Sequence, residues 1–516
     1  MSRAFSPPAW LRAGVILAAA AFVFGPSLGG GWLWDDNQEV TANAVLRDPG
    51  GLAKIWSGAA GADYFPLKTT LQWLEWRLWG ADPFGYHAVS AALHALAALL
   101  FWWVLARLGL RLAWLGGLLF AVHPLTVESV AWAAELKNTL SLALLLGAMV
   151  AYLEFDGKGS RRAYAAALGL FLLAMLAKST VVMFPCVILL HAWWRRGRIA
   201  PRELRAAAPF FAVSAALGLV TVYFQHHRAM QPDFVTAGGV LPRLAGAGLA
   251  LAFYLEKCVL PLGLDPIYPR WNLDPPSAAQ WLPWLGLLAL GLLLWRRRAG
   301  WGRGALFGLG FFVLNLLPVA GLITITYMHI TWVADHLAYI ALLGPIALAA
   351  GAAGRWKGGA AVLAALALVL AAASRGYAGV FHDEDALWTY TLRRNPEAWS
   401  AHYNLATWLA QRGQLARAEG EFQATLRLRP AFAEAHFNYG NTLFLERRAP
   451  AALEQYREAA RLDPGRADFH VGLGNALYLA GRPAEAAAEF EAALRLRPGD
   501  ARIQSNLDIV RRAAQP

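Results

Sequence analysis

The chain has 516 residues, of which 58% are hydrophobic, 12% aromatic and only 16% charged. Soluble domains carry about 25% charged residues, so this composition excludes an ordinary soluble enzyme and indicates several membrane spans. Two cysteines, Cys186 and Cys258, are too few for a disulfide scaffold or a cysteine-rich zinc module. The net charge is +12, yet residues 397–516 hold 15 basic and 14 acidic side chains. The basic excess therefore lies in the apolar part, as expected for cytoplasmic loops, and does not indicate nucleic-acid binding.

Apolar runs close to the ~20 residues that cross a bilayer recur along the first 375 positions. We predict eleven spans, at 10–28, 86–106, 111–127, 138–154, 163–179, 180–195, 207–224, 281–295, 304–324, 335–353 and 358–374. The first span resembles a signal peptide but is expected to be retained, because further spans follow it. The run 243–260 contains Glu256 and Lys257, and we expect it to lie at the membrane interface or to re-enter the membrane.

Basic side chains cluster in alternate short loops, such as 158–162, 195–205 and 296–303. The positive-inside rule assigns these loops, and the N-terminus, to the cytoplasm. Eleven spans then place the C-terminal part outside, on the same side as the loop 29–85. The arginine- and alanine-rich, lysine-poor usage is typical of a GC-rich bacterium, so we expect the inner membrane and a periplasmic C-terminal part.

A repeat of 34 residues follows a linker expected at 376–396. The segments 397–430, 431–464 and 465–498 each end in proline, and small and aromatic residues recur at the same offsets. This spacing is the tetratricopeptide pattern, and a polar capping helix is expected at 499–514. We predict an all-α protein in which a polytopic membrane domain, residues 1–375, precedes an α-solenoid of three repeats.

One histidine recurs in every repeat, as His402, His436 and His470. We interpret it as a structural position, because stacked repeats hold the three side chains too far apart to share one metal ion. The concave face of such a solenoid is expected to bind an extended peptide or a protein partner.

Polar clusters mark the expected outer ends of the spans. Asp35 and Asp36 are adjacent just beyond the first span, where two like charges should raise one pKa unless a cation or substrate group compensates. Other charged or polar candidates on this side are Lys68, His123, Glu128, Glu135, Lys137, Lys178, Arg270 and His336. Charged groups near membrane depth usually face a cavity and mark a functional site.

Several short motifs occur in a fixed order with these candidates. They are the Asp-Asp pair, Tyr-Phe-Pro-Leu at 64–67, Pro-Phe-Gly-Tyr-His at 83–87, His-Pro…Glu-Ser-Val-Ala-Trp at 123–132 and Ala-Asp-His…Tyr at 334–339. Together with the repeats, they resemble bacterial relatives of the transmembrane-and-tetratricopeptide protein O-mannosyltransferases. That group is similar to the wider GT-C class of polyprenyl-phosphate-dependent glycosyltransferases.

The resemblance implies transfer of mannose or a similar hexose from a polyprenyl-phosphate donor to an acceptor on the outer face, by an inverting single displacement. The acceptor would be a protein Ser or Thr hydroxyl held by the repeats. Asp35 takes the position of the general base, with Asp36 as its partner or substitute. The leaving phosphate needs cationic or hydrogen-bonding groups, for which Lys178 is the first candidate, followed by His336, Arg270 and Lys68.

Two further candidates flank a turn: Glu128 could orient the acceptor or the sugar. His123 is the last candidate for binding the substrate or its phosphate, and stabilisation of the turn itself is its alternative role. Two positions depart from the family pattern, because Ser179 stands where relatives tend to carry an acid and His336 where many carry Arg. No cofactor is expected. A divalent ion on Asp35 and Asp36 is chemically acceptable, but the resemblance favours metal-independent transfer.

Two alternatives remain open from the sequence. The same fold could glycosylate a lipid or polysaccharide acceptor instead of a protein. The chain could also be a non-enzymatic membrane scaffold that binds partners through its repeats.

Overall fold

The computed structural model describes residues 8–59, 61–229, 238–323 and 325–514. In these ranges every regular element is helical, which confirms the predicted all-α class. The chain divides into two compact units, Met1–Ala386 and Leu387–Pro516. Each unit is considered by itself below.

The first unit contains sixteen complete helices in its described part, and a seventeenth, α17, crosses its boundary. They are α1 (Ala9–Leu28), α2 (Ala44–Arg47), α3 (Gly51–Trp56), α4 (Pro66–Trp79), α5 (Pro83–Arg107), α6 (Ala113–Ala121), α7 (Val127–Ala131), α8 (Leu136–Lys158), α9 (Arg161–Ala177), α10 (Phe184–Arg196), α11 (Pro201–Phe224), α12 (Val240–Val259), α13 (Leu282–Arg296), α14 (Gly302–Leu316), α15 (Leu343–Ala353), α16 (Gly359–Ala378) and α17 (Glu384–Arg394). Local sequence explains several ends: Asp82 caps α5 through the Phe84 N–H at 3.0 Å, and Gly159 ends α8 in the left-handed region.

Seven helices in the described part of the chain are long and apolar enough to cross a membrane, and they identify a multi-pass membrane protein. They are Ala9–Leu28, Pro83–Arg107, Ala133–Lys158, Pro201–Arg228, Ala278–Arg296, Gly302–Val319 and Gly359–Phe381. The helices Ala113–Ala121 and Pro124–Ala131 are bent by 56° and raise the number to eight if the pair is one span. The predicted number of eleven is not confirmed.

The difference arises because an apolar run need not remain helical throughout. Instead of the span expected at 180–195, a 3₁₀ turn precedes the 13-residue helix α10. Instead of the span expected at 335–353, another 3₁₀ turn precedes the 11-residue α15. Helix α9 has 17 residues, fewer than the ~20 that cross a bilayer perpendicularly. The interrupted run at 243–260 forms most of the 20-residue helix α12.

The loop after α1 is itself structured and lies against the helices that follow. It contains a π-helical turn, Asn37–Thr41, and the short helices α2, α3 and α4. An apolar cluster formed by Val40, Leu46, Tyr86 and Ala133 anchors the loop, with three tryptophans packed around it. This packing brings the carboxylates of the loop next to the segment that precedes α8.

Helix α4 presents a polar face at Lys68, Gln72 and Glu75, three positions separated by about one helical turn. All three side chains are buried. The side-chain oxygens of Gln72 and Glu75 have no hydrogen-bond partner in the described ranges. Burial raises the pKa of Glu75 to about 8, although Lys68 opposes the rise, so this carboxyl group holds its proton at neutral pH.

The second unit is an α-solenoid. Three helix pairs, α18 (Trp399–Gln411) with α19 (Leu415–Leu428), α20 (Ala433–Leu445) with α21 (Ala449–Leu462), and α22 (Ala467–Leu479) with α23 (Pro483–Leu496), precede α24 (Ala501–Ala513). The repeated histidine bonds equivalent positions each time: a side chain 19 residues later, which is glutamate for His402 and His470 and glutamine for His436, and a proline carbonyl oxygen. For example, Nδ1 of His470 lies 2.7 Å from Glu489, and its Nε2 lies 3.1 Å from the Pro464 carbonyl oxygen. Each histidine therefore joins the two helices of its repeat to the proline that ends the preceding segment.

Candidate active site

Trp34, which directly precedes the two aspartates of the candidate site, has an unusual backbone conformation. Its φ is +44°, a left-handed conformation that is rare for a bulky residue and needs surrounding contacts to hold it. Its indole stacks on Trp132 with ring centroids 5.0 Å apart. The backbone N–H of Trp34 donates to Oε1 of Glu384 at 3.0 Å. These contacts fix the direction in which the next residue, Asp35, projects.

The two adjacent aspartates have different environments. Asp36 is fully buried; Oδ2 accepts from the Leu33 N–H at 2.9 Å and Oδ1 from the Ala134 N–H at 2.6 Å. Asp35 is exposed, but protein crowds it on its other sides. This crowding raises the pKa of Asp35 to about 6, an effect that Lys137 opposes and Glu39 reinforces. Asp36 therefore holds the loop, whereas the carboxyl group of Asp35 is accessible at its surface.

Glu39 lies one helical turn beyond Asp35 and binds Lys68, whose Nζ lies 2.5 Å from Oε2. Lys68 is buried, with 3% of its side chain exposed. Burial of Glu39 would raise its pKa, but Lys68 and Lys137 outweigh that effect and lower it. Lys68 was predicted to bind phosphate; in the structure its ammonium group is engaged by a carboxylate.

Glu135 is the centre of a buried ionic group, which we call the Glu135 cluster: Glu135, Lys137, Asn138 and Lys178. Oε1 of Glu135 lies 2.9 Å from Lys137 Nζ, and Oε2 lies 3.3 Å from Lys178 Nζ. Lys178 also donates to Asn138 at 2.7 Å. Two cations share one carboxylate, so the cluster carries a net positive charge beside Asp35.

A second buried pair adjoins the cluster. Glu128 accepts from the backbone N–H of His336 at 2.8 Å, and its other oxygen lies 3.0 Å from Nδ1 of the same histidine. Nε2 of His336 has no hydrogen-bond partner in the described part of the chain and remains able to bind a ligand. Asn138 Nδ2 lies 3.4 Å from the His336 carbonyl oxygen, which links the pair to the Glu135 cluster.

Asp335 directly precedes His336 and is held by two tyrosines. It is fully buried and accepts hydrogen bonds from the hydroxyls of Tyr268 at 2.7 Å and Tyr377 at 3.1 Å. The sequence pattern alone does not identify Asp335, Glu39 or Asn138 as site residues. Only Asn138 has a signal in the local sequence: it belongs to the segment Glu-Leu-Lys-Asn at 135–138, where two opposite charges and an amide begin an apolar run.

The two remaining candidates are bonded to backbone groups outside the Glu135 cluster. His123 accepts from the Leu125 N–H at 3.2 Å and lies 3.2 Å from the Cys258 carbonyl oxygen, so it stabilises a turn and its contact with the end of α12. Arg270 is exposed and donates to the His329 carbonyl oxygen at 2.8 Å. Among the described residues, its guanidinium group forms no ion pair.

The fold and the site together define a class: a multi-pass membrane protein with buried, converging charges and a tetratricopeptide domain. The tetratricopeptide repeat family matches residues 384–431, 409–467 and 447–501. The chain is similar to proteins named as O-mannosyl-transferases, which confirms the resemblance inferred from the motifs. It is 28% identical over 155 residues to one from Caenorhabditis elegans, covering 26% of this chain and 22% of that protein.

Human protein O-mannosyl-transferase TMTC1 is 30% identical over 154 residues, covering 27% of this chain and 18% of the human protein. The Drosophila melanogaster protein of that name is 30% identical over 185 residues, covering 32% of this chain and 21% of the Drosophila protein. The aligned part thus spans about a fifth of the length of these curated relatives. A crystal structure of MamA is similar at 20% identity, covering 25% of this chain and 77% of that one, with a TM-score of 0.24.

Proposed function

We propose that the protein is a membrane glycosyltransferase that moves a hexose such as mannose from a polyprenyl-phosphate donor to an acceptor hydroxyl. The observation that carries the proposal is the placement of Asp35, an exposed carboxylate with a raised pKa beside the positively charged Glu135 cluster. The names of the partial relatives support sugar transfer to protein.

Asp35 acts as the general base. An acceptor hydroxyl is a weak nucleophile, and a carboxylate within hydrogen-bond reach removes its proton as the oxygen bonds to the anomeric carbon. The bond from that carbon to the phosphate oxygen breaks in the same step, and the lipid phosphate leaves with the electron pair. A base with a pKa near 6 is ionised at neutral pH yet more basic than an ordinary aspartate, which suits this task.

Charge develops on the leaving phosphate and needs donors fixed in advance. Lys137 and Lys178 supply positive charge in excess of Glu135. His336 adds Nε2, and Glu128 holds the ring through Nδ1. In this proposal Glu128 and Asp36 are positioning residues, because their carboxylate oxygens are already engaged by protein groups.

The repeats bind the acceptor, which we propose to be a protein or peptide. The second unit contains a cavity of about 520 Å³ lined by Asn438, Asn441, Asn475, Tyr403 and Phe437, among others. Amide side chains can bond the free N–H and C=O groups of an extended peptide, since each offers both a donor and an acceptor. We further propose the outer face of the inner membrane as the site of reaction, as positive-inside counting predicts.

Sugar transfer from labelled polyprenyl-phosphate mannose to an envelope extract tests the proposal. Purified wild type is compared with Asp35→Asn, which removes the base while preserving size, and with Asp274→Asn. Asp274 is an exposed matched control in the loop after α12. We expect Asp35→Asn to lose at least about 100-fold in rate and the control to keep full rate. Equal rates in both variants would contradict the role of Asp35, and absence of transfer by wild type with any polyprenyl-phosphate sugar would contradict the proposed function.

A further inference from the structure

The first unit contains an apolar cavity that the proposed reaction does not use. Its volume is about 590 Å³, within the range of ligand-binding sites. It lies between α5, α8, α10, α14 and α15. Its wall is largely aliphatic and aromatic and includes Val104, Leu146, Met149, Val187, Phe307 and Leu348.

This cavity is separate from the candidate active site. On α8 the lining residues begin at Leu146, eight positions after Asn138 of the Glu135 cluster. At 1.5 Å per residue, that distance is about 12 Å along the helix axis. The cavity continues away from the cluster to Leu153 and to Leu108 and Gly354, which follow the ends of α5 and α15.

Two arginines stand together at that end of the cavity. Arg111 and Arg355 both line it, and both are exposed. A methyl group placed on Gly354 would lie 3.5 Å from Cβ of Arg111, so the turn carrying Arg111 contacts the end of α15 next to Arg355. Within the described ranges neither guanidinium group has an ion-pair partner.

His191 provides an independent sign that a polar group belongs in the cavity. It lines the wall with only 5% of its surface exposed. Its Nε2 has no hydrogen-bond partner in the described part of the chain, which is unfavourable for a buried polar atom. Trp194 and Trp301 also line the cavity, and tryptophan is typical of the level of lipid headgroups.

We infer that this cavity is a binding site for an anionic phospholipid, distinct from the donor site. One acyl chain fills the aliphatic part, the phosphate is held by Arg111 and Arg355, and a headgroup or ester oxygen accepts a hydrogen bond from His191. Basic pockets between membrane helices favour anionic headgroups because charge complementarity adds to apolar burial. A zwitterionic lipid fits the apolar part equally well but gains less from the two arginines.

Native mass spectrometry of the full chain in detergent tests the inference, with phosphatidylglycerol and phosphatidylcholine as probes at equal concentration. We expect one phosphatidylglycerol to bind at least about tenfold more tightly than phosphatidylcholine. The double variant Arg111→Gln/Arg355→Gln should lose this preference. The control Arg161→Gln/Arg162→Gln removes two exposed charges of α9 that do not line the cavity and should keep it.

A second variant tests the cavity itself. Ala347→Trp places a large side chain in the wall of the cavity and leaves both arginines unchanged; it should abolish binding of either lipid while transfer activity persists. Equal affinity of wild type for the two lipids would overturn the inference. So would displacement of phosphatidylglycerol by polyprenyl phosphate in equimolar competition, because the cavity would then belong to the donor. An unaltered preference in Arg111→Gln/Arg355→Gln would overturn it as well.

Discussion

Asp36 and Ala134 are joined by a hydrogen bond of 2.6 Å, in which the backbone N–H of Ala134 donates to Oδ1 across 98 positions of sequence. The other carboxylate oxygen accepts from Leu33. One buried side chain therefore connects the loop after α1 with the segment that precedes α8. Because Asp36 is anchored in this way, it also fixes the position of the adjacent Asp35.

We expect Asp36→Asn to act mainly on stability. An amide can accept one of the two N–H donors but turns its own N–H₂ toward the other, leaving a buried donor unpaired at a cost of about 1–3 kcal/mol. Thermal unfolding in detergent should show a lower midpoint for Asp36→Asn than for Asp35→Asn. The prediction fails if Asp36→Asn unfolds like wild type while losing activity as completely as Asp35→Asn.

The transfer rate should depend on the ionisation of Asp35. Its pKa is raised to about 6, and only the ionised form accepts a proton from the hydroxyl. We expect kcat/KM to be nearly constant above pH 7 and to fall about tenfold per pH unit below pH 5. The profile is measured with wild type and with Asp274→Asn, which should superimpose. A rate that rises as the pH falls through 6 would assign Asp35 a role as a proton donor instead.

Glu75 should make the protein less stable as the pH rises. Its pKa is about 8 in the fold against an ordinary 4.5, so between these values the folded state binds more protons than the unfolded state. Stability is then full below about pH 4.5 and decreases up to pH 8, by a few kcal/mol in all. In Glu75→Gln the side chain is uncharged at every pH, so this variant should not show the decrease in stability. Unfolding midpoints at pH 5 and pH 8 measure the effect, with the exposed Glu256→Gln as a control that should follow wild type.

Glu135 and Lys178 should be energetically coupled. Removing either charge leaves its buried partner less compensated, which is destabilising, whereas Glu135→Gln/Lys178→Met removes both. A double-mutant cycle of unfolding free energies should give a coupling of about 1–3 kcal/mol. The exposed pair Glu154–Lys158, at 3.1 Å, is the reference and should give about 0.5 kcal/mol or less. Additive effects at Glu135 and Lys178 would show that the ion pair does not contribute.

The repeat domain follows from the sequence because each repeat uses the same residue types at the same offsets. A position such as His470 recurs three times, so its structural role can be inferred without coordinates. The membrane unit has no such redundancy. Apolar composition identifies its class, but the turn at Asp335 that interrupts an expected span depends on contacts with Tyr268 and Tyr377, which the local sequence does not contain.

The site itself was partly predictable. The sequence identifies Asp35, Glu128, Lys178 and His336 as charged or titratable groups at span ends, but it does not identify their partners. The engagement of Lys68 by Glu39 spans 29 positions, and that of Lys178 by Glu135 spans 43. Pairings at such separations are set by helix packing, so charge alone could not distinguish a buried ion pair from a free cation.

The contact between Glu128 and His336 has a consequence for the synthesis of the chain. The two residues are 208 positions apart, and ribosomes add roughly 5–20 residues per second. Glu128 therefore emerges about 10–40 s before the histidine that will satisfy it. During that interval an uncompensated carboxyl group is present in a half-inserted protein. A chain that ends before residue 336 would keep Glu128 without this partner.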